Sequence, residues 1–423
     1  MQVFGKLNGL AYGLLGLPLA FVALPLYVIL PNYYAKEFGV PLAILGAILL
    51  GARLFDAFID PLLGKLSDRL FKRSSGAILQ AGLLAAVVLA IGFALLFFPQ
   101  VTGLNALIVW ASAMLMVTYA AYSFLSVSHQ SWGAMLGGSE AERSRIVAWR
   151  EALGLIGVVM ASVTPVALGM PATTVVFFVA LGIGWLAWTR AVQPVARKDA
   201  PLAPGAIWLP FRHSNFKRLL LVFMLNGTAS AVPATLVLFF IQDRLQAPSS
   251  MEPLFLGSYF LAAALSIPLW LAIVKRIGLA KAWLCGMALA IAVFSWATQV
   301  GSGQTTAFLI ICALSGVALG TDLALPGAML AGVIQSNGDS GKAEGAYFGW
   351  WNFAIKLNLA LAAGLALPLL SVFGYAPGVR SPEALSALVI AYCVLPCVLK
   401  LAASAALYFS IIKPSFKPVG IHA

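Results

Sequence analysis

Charged residues are scarce in this chain. They make up 9% of its 423 residues, whereas soluble domains carry about 25%. Histidine occurs only 3 times, apolar residues make up 61%, and the mean hydropathy is +0.97. This composition excludes an ordinary soluble protein. The apolar runs are about 20 residues long and lack the alternation of a membrane barrel strand, so the sequence predicts an all-α membrane protein.

Signals for catalysis and for resident cofactors are also missing. The sequence shows no nucleophile–base pair, metal-ligand spacing or phosphate-binding loop, so we predict neither an enzyme nor a bound cofactor. The four cysteines Cys285, Cys312, Cys393 and Cys397 all fall in apolar runs, which argues against a disulfide framework. The net charge of +12 is spread over short loops. No soluble stretch is long enough to bind nucleic acid.

Twelve apolar runs fall into two sets of six with a polar segment between them. We therefore predict an N-terminal six-helix bundle over 1–192, a cytoplasmic linker over 193–216 and a C-terminal six-helix bundle over 217–423. The predicted spans are 8–34, 40–63, 77–98, 104–135, 147–169, 172–192, 217–243, 252–273, 281–300, 305–335, 346–374 and 382–412.

Lysine and arginine are distributed unequally between the two sides of these predicted spans. Most of them fall in loops on the side that also holds both ends of the chain, and only Lys36, Arg244 and Arg380 fall in the opposite loops. The positive-inside rule then places both termini in the cytoplasm. We expect a multi-pass protein of the cell inner membrane, with the lipid bilayer as its surroundings, and a monomer.

Three charged residues interrupt the second apolar run. Arg53, Asp56 and Asp60 are spaced i+3 and i+4, so a helix projects them from one face. Each ionised group at bilayer depth costs roughly 3 kcal/mol, so such groups usually serve a function. Two carboxylates one turn apart suit a shared Na⁺ or proton. The alternative is a salt-bridge network that holds helices together without coupling.

Two loops mark an internal repeat, and one of them carries a known motif. GKLSDRLFKR (64–73) follows the second run, and KRIGLAK (275–281) follows the eighth. The first loop resembles the GxxSDRxxxR motif of the major facilitator superfamily, and the second is a degenerate copy. The resemblance implies the major facilitator fold: two six-helix halves with substrate bound between them near the midplane.

A closer resemblance rests on the second and eleventh runs. The stretch RLFDAFIDPLLGKLSDR (53–69) and the run EGAYFGWWNFAIKLNLALAAG (344–364) resemble the glycoside–pentoside–hexuronide:cation symporters. In that family the two acids form the coupling-cation site, which implies this role for Asp56 and Asp60, as ligands of Na⁺ if sodium is the coupling ion. Arg53 lies beside them, and Lys356 matches a lysine that approaches them from the other half.

The sequence departs from that family where sugar is bound. Sugar-transporting members carry an aspartate at the position of Pro18. They carry another at Ser128, four residues before the tryptophan that matches Trp132. Ser128 still offers an oxygen to a cation, but no charge. The resemblance therefore implies coupling to Na⁺ or H⁺ and leaves the solute open.

Further candidates for substrate binding lie on the fourth helix. They are Tyr119, Tyr122, His129 and Trp132. His129 is either a proton carrier or a neutral histidine satisfied by a neighbouring group.

The tenth and eleventh helices add three more candidates. Asp322 is near midplane depth, where it would bind substrate or a proton, or else pair with Lys356 or Arg53. Trp351 and Asn352 would face the cavity, although tryptophans at helical spacing often serve as packing residues or interface anchors.

Together these observations predict a secondary active transporter that works by alternating access. It would couple Na⁺ or H⁺ to the symport of a small organic solute that is sugar-like or amphiphilic. One alternative keeps the fold and carries a lysolipid or another amphiphile, since lysolipid symporters of animals resemble the same family. The other alternative is a membrane receptor or embedded enzyme without transport.

Overall fold

The computed structural model describes residues 5–194, 206–375 and 378–416. Parts of the predicted linker (195–205) and of the predicted C-terminal bundle (376–377 and 417–423) lie outside the described residues. Within the described ranges every regular element is helical and none is a strand. Nine of the helices there are long and apolar enough to cross a membrane. The prediction of an all-α membrane protein is confirmed, and the total of twelve spans stays a prediction.

The chain divides into two compact units, the first formed by Met1–Arg212 with Ile334–Phe353 and the second by His213–Val333 with Ala354–Ala423. The helices that begin in the first unit are α1 (Lys6–Gly13), α2 (Gly16–Leu24), α3 (Leu30–Phe38), α4 (Leu42–Arg73), α5 (Ser75–Phe97), α6 (Leu104–Met135), α7 (Glu140–Thr189) and α12 (Glu344–Val372). Those that begin in the second unit are α8 (Ser214–Phe239), α9 (Glu252–Ile277), α10 (Leu279–Ala297), α11 (Thr305–Ser336), α13 (Pro382–Val389) and α14 (Leu395–Leu407). The end of α11 belongs to the first unit, and α12 after Phe353 belongs to the second.

Helix α7 covers the predicted span 147–169 and the predicted span 172–192 as far as Thr189. Its backbone leaves helical geometry at Gly169, where φ is +78° and ψ is 170°. A residue with a Cβ rarely adopts this φ, whereas glycine does so readily. The sequence therefore placed the boundary between these spans correctly, although the helical hydrogen bonding resumes almost at once.

Glycines allow the first helices to approach α7 closely. A Cβ added to Gly157 would lie 2.1 Å from the carbonyl oxygen of Leu17, and one added to Gly13 would lie 2.7 Å from that of Trp149. Small residues at such crossings let membrane helices pack backbone to backbone, which replaces the hydrophobic driving force that lipid does not supply. The core of the first unit continues from this seam into a cluster of rings in which Phe177 stacks on Phe21 and packs at a tilt against Phe93.

We expect Gly157→Ala to destabilise the protein, because the added methyl group would overlap the Leu17 carbonyl. Overpacking of this kind typically costs about 1–3 kcal/mol. Thermal unfolding in detergent measures the loss. Gly182→Ala, on the same helix, is the matched control, since a Cβ there meets nothing within 4 Å. Equal unfolding temperatures for the two variants would contradict the close packing of α2 on α7.

Candidate functional site

The two acids predicted to bind the coupling cation are buried on α4. Asp56 is 1% exposed and Asp60 is 0% exposed, while Arg53 is exposed on the same helix. The i, i+4 spacing places the two carboxyl-bearing side chains on one face, one turn apart. Two carboxylates in such a setting repel each other and share a monovalent cation or a proton favourably.

Polar and aromatic residues from two other helical segments surround Asp56 and Arg53. Ser123 on α6 donates its hydroxyl proton to Asp56 Oδ1 at 2.6 Å. The Arg53 guanidinium carbon lies 4.5 Å from the ring centroid of Tyr27, and that ring lies 5.7 Å from the ring of Tyr119. The sequence analysis missed Ser123 and Tyr27. Ser123 had a signal, because it follows the candidate Tyr119 by one helical turn.

The structure places Ser128 away from the acidic pair. Its hydroxyl donates to Ser67 Oγ at 3.1 Å, and both serines are fully buried. Ser67 follows Asp60 by seven residues on the same helix, which is about 10 Å along the axis at ~1.5 Å per residue. This geometry favours Ser123 over Ser128 as the hydroxyl at the acids.

His129 and Trp132 are enclosed by the packing of the first unit. His129 Nε2 donates to the Tyr12 carbonyl at 2.7 Å, and since a carbonyl only accepts, Nε2 carries the proton. Trp132 is 0% exposed, donates to the Val192 carbonyl at 2.9 Å and packs against Trp188. This geometry favours packing roles for both residues over contact with a solute. Tyr122, by contrast, is half-buried on α6, between Tyr119 and Ser123 in the sequence.

The candidates on α12 divide between the two units. Trp351 and Asn352 are buried in the first unit, at 4% and 6% exposure. Lys356 is half-buried in the second. Two residues further on, the Asn358 side-chain oxygen accepts a hydrogen bond from Thr228 at 3.1 Å.

The motif GKLSDRLFKR (64–73) contains a carboxylate, that of Asp68, which caps a helix. Asp68 accepts from the backbone N–H groups of Gly345 at 2.7 Å and Ala346 at 2.9 Å, at the start of α12. The approach is close, since a Cβ on Gly64 would lie 2.0 Å from the Gly345 carbonyl oxygen. A negative charge is favourable at the N-terminus of a helix because unpaired N–H groups point outward there.

A second acid is buried beside this cap, outside the predicted spans 40–63 and 346–374. Burial raises the pKa of Glu344 to about 7. Burial also raises the pKa of Asp68, and the neighbouring charge of Glu344 raises it further. The two carboxyls therefore hold protons more tightly than exposed acids do.

The second unit contains an ion pair between Lys400, which is buried, and Asp322, which is half-buried. We call this pair and its neighbours Asn226, Ser230 and Trp283 the Asp322 cluster. Asp322 Oδ1 accepts from Trp283 at 2.8 Å and Asn226 at 2.9 Å. Asp322 Oδ2 accepts from Lys400 and Ser230, each at 3.1 Å. Lys400 also donates to the Asn226 side-chain oxygen at 2.8 Å. The prediction of Lys356 or Arg53 as the partner of Asp322 is corrected to Lys400, which α14 carries to the same depth.

A cavity of about 310 Å³ opens beside the Asp322 cluster. Asp322, Lys400 and Ser230 line one part of it. Aromatic side chains form much of the remaining wall, namely Phe255, Tyr259, Phe260, Phe294 and Tyr392. A largely apolar wall with a few convergent polar groups is typical of small-molecule sites.

Comparison with known proteins identifies the family to which this chain belongs. A family model described as MFS/sugar transport protein matches residues 8–413. The chain belongs to this family. It is a membrane transport protein of the major facilitator superfamily and not an enzyme, and its solute is a small organic molecule. The resemblance to the glycoside–cation symporters is confirmed.

Two relatives and one solved structure show how far this similarity extends. The chain is 24% identical to an uncharacterized symporter, YjmB, of Bacillus subtilis, over 85% of this chain and 82% of that one. It is 25% identical to a putative sulfoquinovose importer of Salmonella typhimurium, over 83% and 78%. The crystal structure of the Escherichia coli fucose:proton symporter FucP superposes with a TM-score of 0.70 at 14% identity, covering 94% and 98%. That likeness confirms the major facilitator fold.

We expect Glu344→Gln to weaken the dependence of stability on pH. A buried acid with a raised pKa contributes stability that is complete below its ordinary pKa of 4.5 and is lost as pH rises through about 7. The parent should therefore lose unfolding temperature between about pH 5 and about pH 8, and the variant should lose less. Glu383→Gln, an exposed glutamate on α13, should keep the parent's slope. Parallel slopes for all three proteins would contradict the raised pKa.

Proposed function

We propose that this transporter couples the downhill entry of a cation, Na⁺ or H⁺, to symport of a small organic solute by alternating access. The cation binds at Asp56 and Asp60. The protein lies in the cell inner membrane with both termini in the cytoplasm, as the distribution of lysine and arginine favours.

The observation that carries the proposal is the pair of buried acids on one face of α4. Both carboxyls are within 1% of full burial, and they are one turn apart. Ionised together, they would repel in a medium of low dielectric constant, and binding Na⁺ or a proton relieves that repulsion. Ser123, which already contacts Asp56 at 2.6 Å, supplies an additional oxygen to a bound cation.

The empty site also needs charge compensation during the return step. An uncompensated buried charge would raise the free energy of the cation-free protein. Arg53 is three residues from Asp56 on the same face and is held over the Tyr27 ring. Lys356 is the second positive group that the family resemblance assigns to this role. In the proposed cycle these two groups balance the carboxylates after the cation leaves.

The solute has two candidates. The relative named as a putative sulfoquinovose importer and the family description, MFS/sugar transport protein, favour a sugar-like solute. The positions that hold sugar in the family are Pro18 and Ser128 here, and both are buried in packing. The apolar cavity of the second unit favours an amphiphile as the second candidate. Competition between sugars and a labelled lysolipid for the purified protein separates the two.

We expect Asp56→Asn and Asp60→Asn each to lower cation-driven uptake at least tenfold, because an amide neither binds a proton nor balances Na⁺. The measurement is uptake into proteoliposomes under an imposed Na⁺ gradient and, separately, an imposed pH gradient. The gradient that drives uptake in the parent identifies the coupling ion.

Two controls separate loss of coupling from loss of fold. Glu37→Gln makes the same chemical change at an exposed position and should transport like the parent. Solute exchange without a gradient should persist in at least one Asn variant, since exchange needs no net cation movement. Gradient-driven uptake at the parent's rate in both Asn variants would refute the cation site.

A further inference from the structure

We propose that the cavity beside the Asp322 cluster binds an uncharged aryl or alkyl group that carries one hydrogen-bond-accepting oxygen, and that Lys400 donates to this oxygen. The proposal rests on the proposed function in one respect, since it takes this group to be part of the transported solute. It assigns the second unit a role in choosing the solute, separate from the cation site of the first unit.

Asp322 has no spare capacity to accept a ligand's proton. A carboxylate offers roughly four lone-pair positions. Four described donors occupy them: the Trp283 and Asn226 N–H groups at Oδ1, and Ser230 and Lys400 at Oδ2. An amine, or a sugar held through its hydroxyl protons, would have to displace one of these bonds.

Lys400, by contrast, has a donor left over. Its ammonium group has three N–H bonds. Among the residues that the structure describes, it donates to the Asn226 oxygen at 2.8 Å and to Asp322 Oδ2 at 3.1 Å. The side chain is only 5% exposed, yet it lines the cavity. A buried donor gains most from an acceptor, so the polar part of the cavity is suited to a ligand oxygen.

The charge balance selects an uncharged ligand. Lys400 and Asp322 neutralise each other at 3.1 Å. A carboxylate or an ammonium group in the cavity would add a third buried charge without a counterion, and desolvating it would be costly. A carbonyl or ether oxygen satisfies the Lys400 donor and leaves the net charge unchanged.

The side chains that line the cavity determine what the apolar part of the ligand can be. Aromatic and aliphatic side chains make up most of the cavity wall. Its volume of about 310 Å³ is at the low end for ligand pockets, so one ring or a short alkyl chain fits. The Tyr259 and Tyr392 hydroxyls line the same cavity and donate to none of the described residues. They provide further donors and no anionic group, which again favours an oxygen acceptor.

The test uses the full-length protein in lipid nanodiscs, in sodium-free buffer and without any gradient. Saturation-transfer NMR, with the signal of empty nanodiscs subtracted, compares acetophenone with ethylbenzene, benzoate and benzylammonium. We expect acetophenone to bind at least tenfold more tightly than the other three. Tighter binding of benzoate or benzylammonium would overturn the uncharged class, and equal binding of ethylbenzene would overturn the role of Lys400.

Variants locate the binding. Ala234 lines the cavity, so Ala234→Phe should lower acetophenone affinity at least tenfold. Ala402 is exposed on α14, outside the residues that line the cavity, and Ala402→Phe should bind like the parent. The double variant Asp322→Asn with Lys400→Met removes both charges together, so no lone charge is buried. Because the Tyr259 and Tyr392 hydroxyls remain, it should lose most of the preference for acetophenone over ethylbenzene, and an undiminished preference would overturn the role of Lys400.

The binding experiments on the cavity and the uptake experiments on the cation site can fail independently of each other. Parent-like binding by Ala234→Phe would overturn the cavity proposal even if Asp56→Asn abolishes uptake. Conversely, selective acetophenone binding together with normal uptake by both Asn variants would uphold the cavity and refute the cation site.

Discussion

The cost of burying charge in an apolar helix bundle is the constraint on which the rest of this structure depends. Three of the acids described above show how such a charge is compensated. Asp322 takes four donors, including one cation. Asp68 takes two backbone N–H groups at the start of α12. Asp56 takes a serine hydroxyl. The groups that compensate each carboxylate indicate whether it can also bind a cation.

The Asp322 cluster and the α4 acids illustrate the difference. The Asp322 cluster is electrically balanced, and its carboxylate has its acceptor positions filled, so it is poorly suited to take up a cation. The α4 acids stand together on one helix face, where neutralisation by a mobile cation would lower the free energy. The two proposals therefore place coupling in the first unit and solute selection in the second.

Much of the fold followed from hydrophobic runs and turn residues. The predicted span 104–135 coincides with α6, and 305–335 differs from α11 by one residue. The break between the fifth and sixth spans falls at Gly169. Two features of the helices could not be predicted from the sequence pattern. The apolar runs continue as helix beyond the predicted membrane limits, as α4 does to Arg73, because helix hydrogen bonding does not end where hydropathy falls. The π-helical turns, such as Pro25–Ile29, have no comparable pattern.

The sequence by itself determined the membrane setting, the helices and the shared face of Arg53, Asp56 and Asp60. These depend on composition and on the 3.6-residue period within one helix. Only the tertiary structure decided the partners: Ser123 rather than Ser128 at the acids, and Lys400 rather than Lys356 at Asp322. Those partners lie on different helices, 67 and 78 positions away in the chain. The rotation and depth of each helix are set by packing between helices, which local periodicity does not encode.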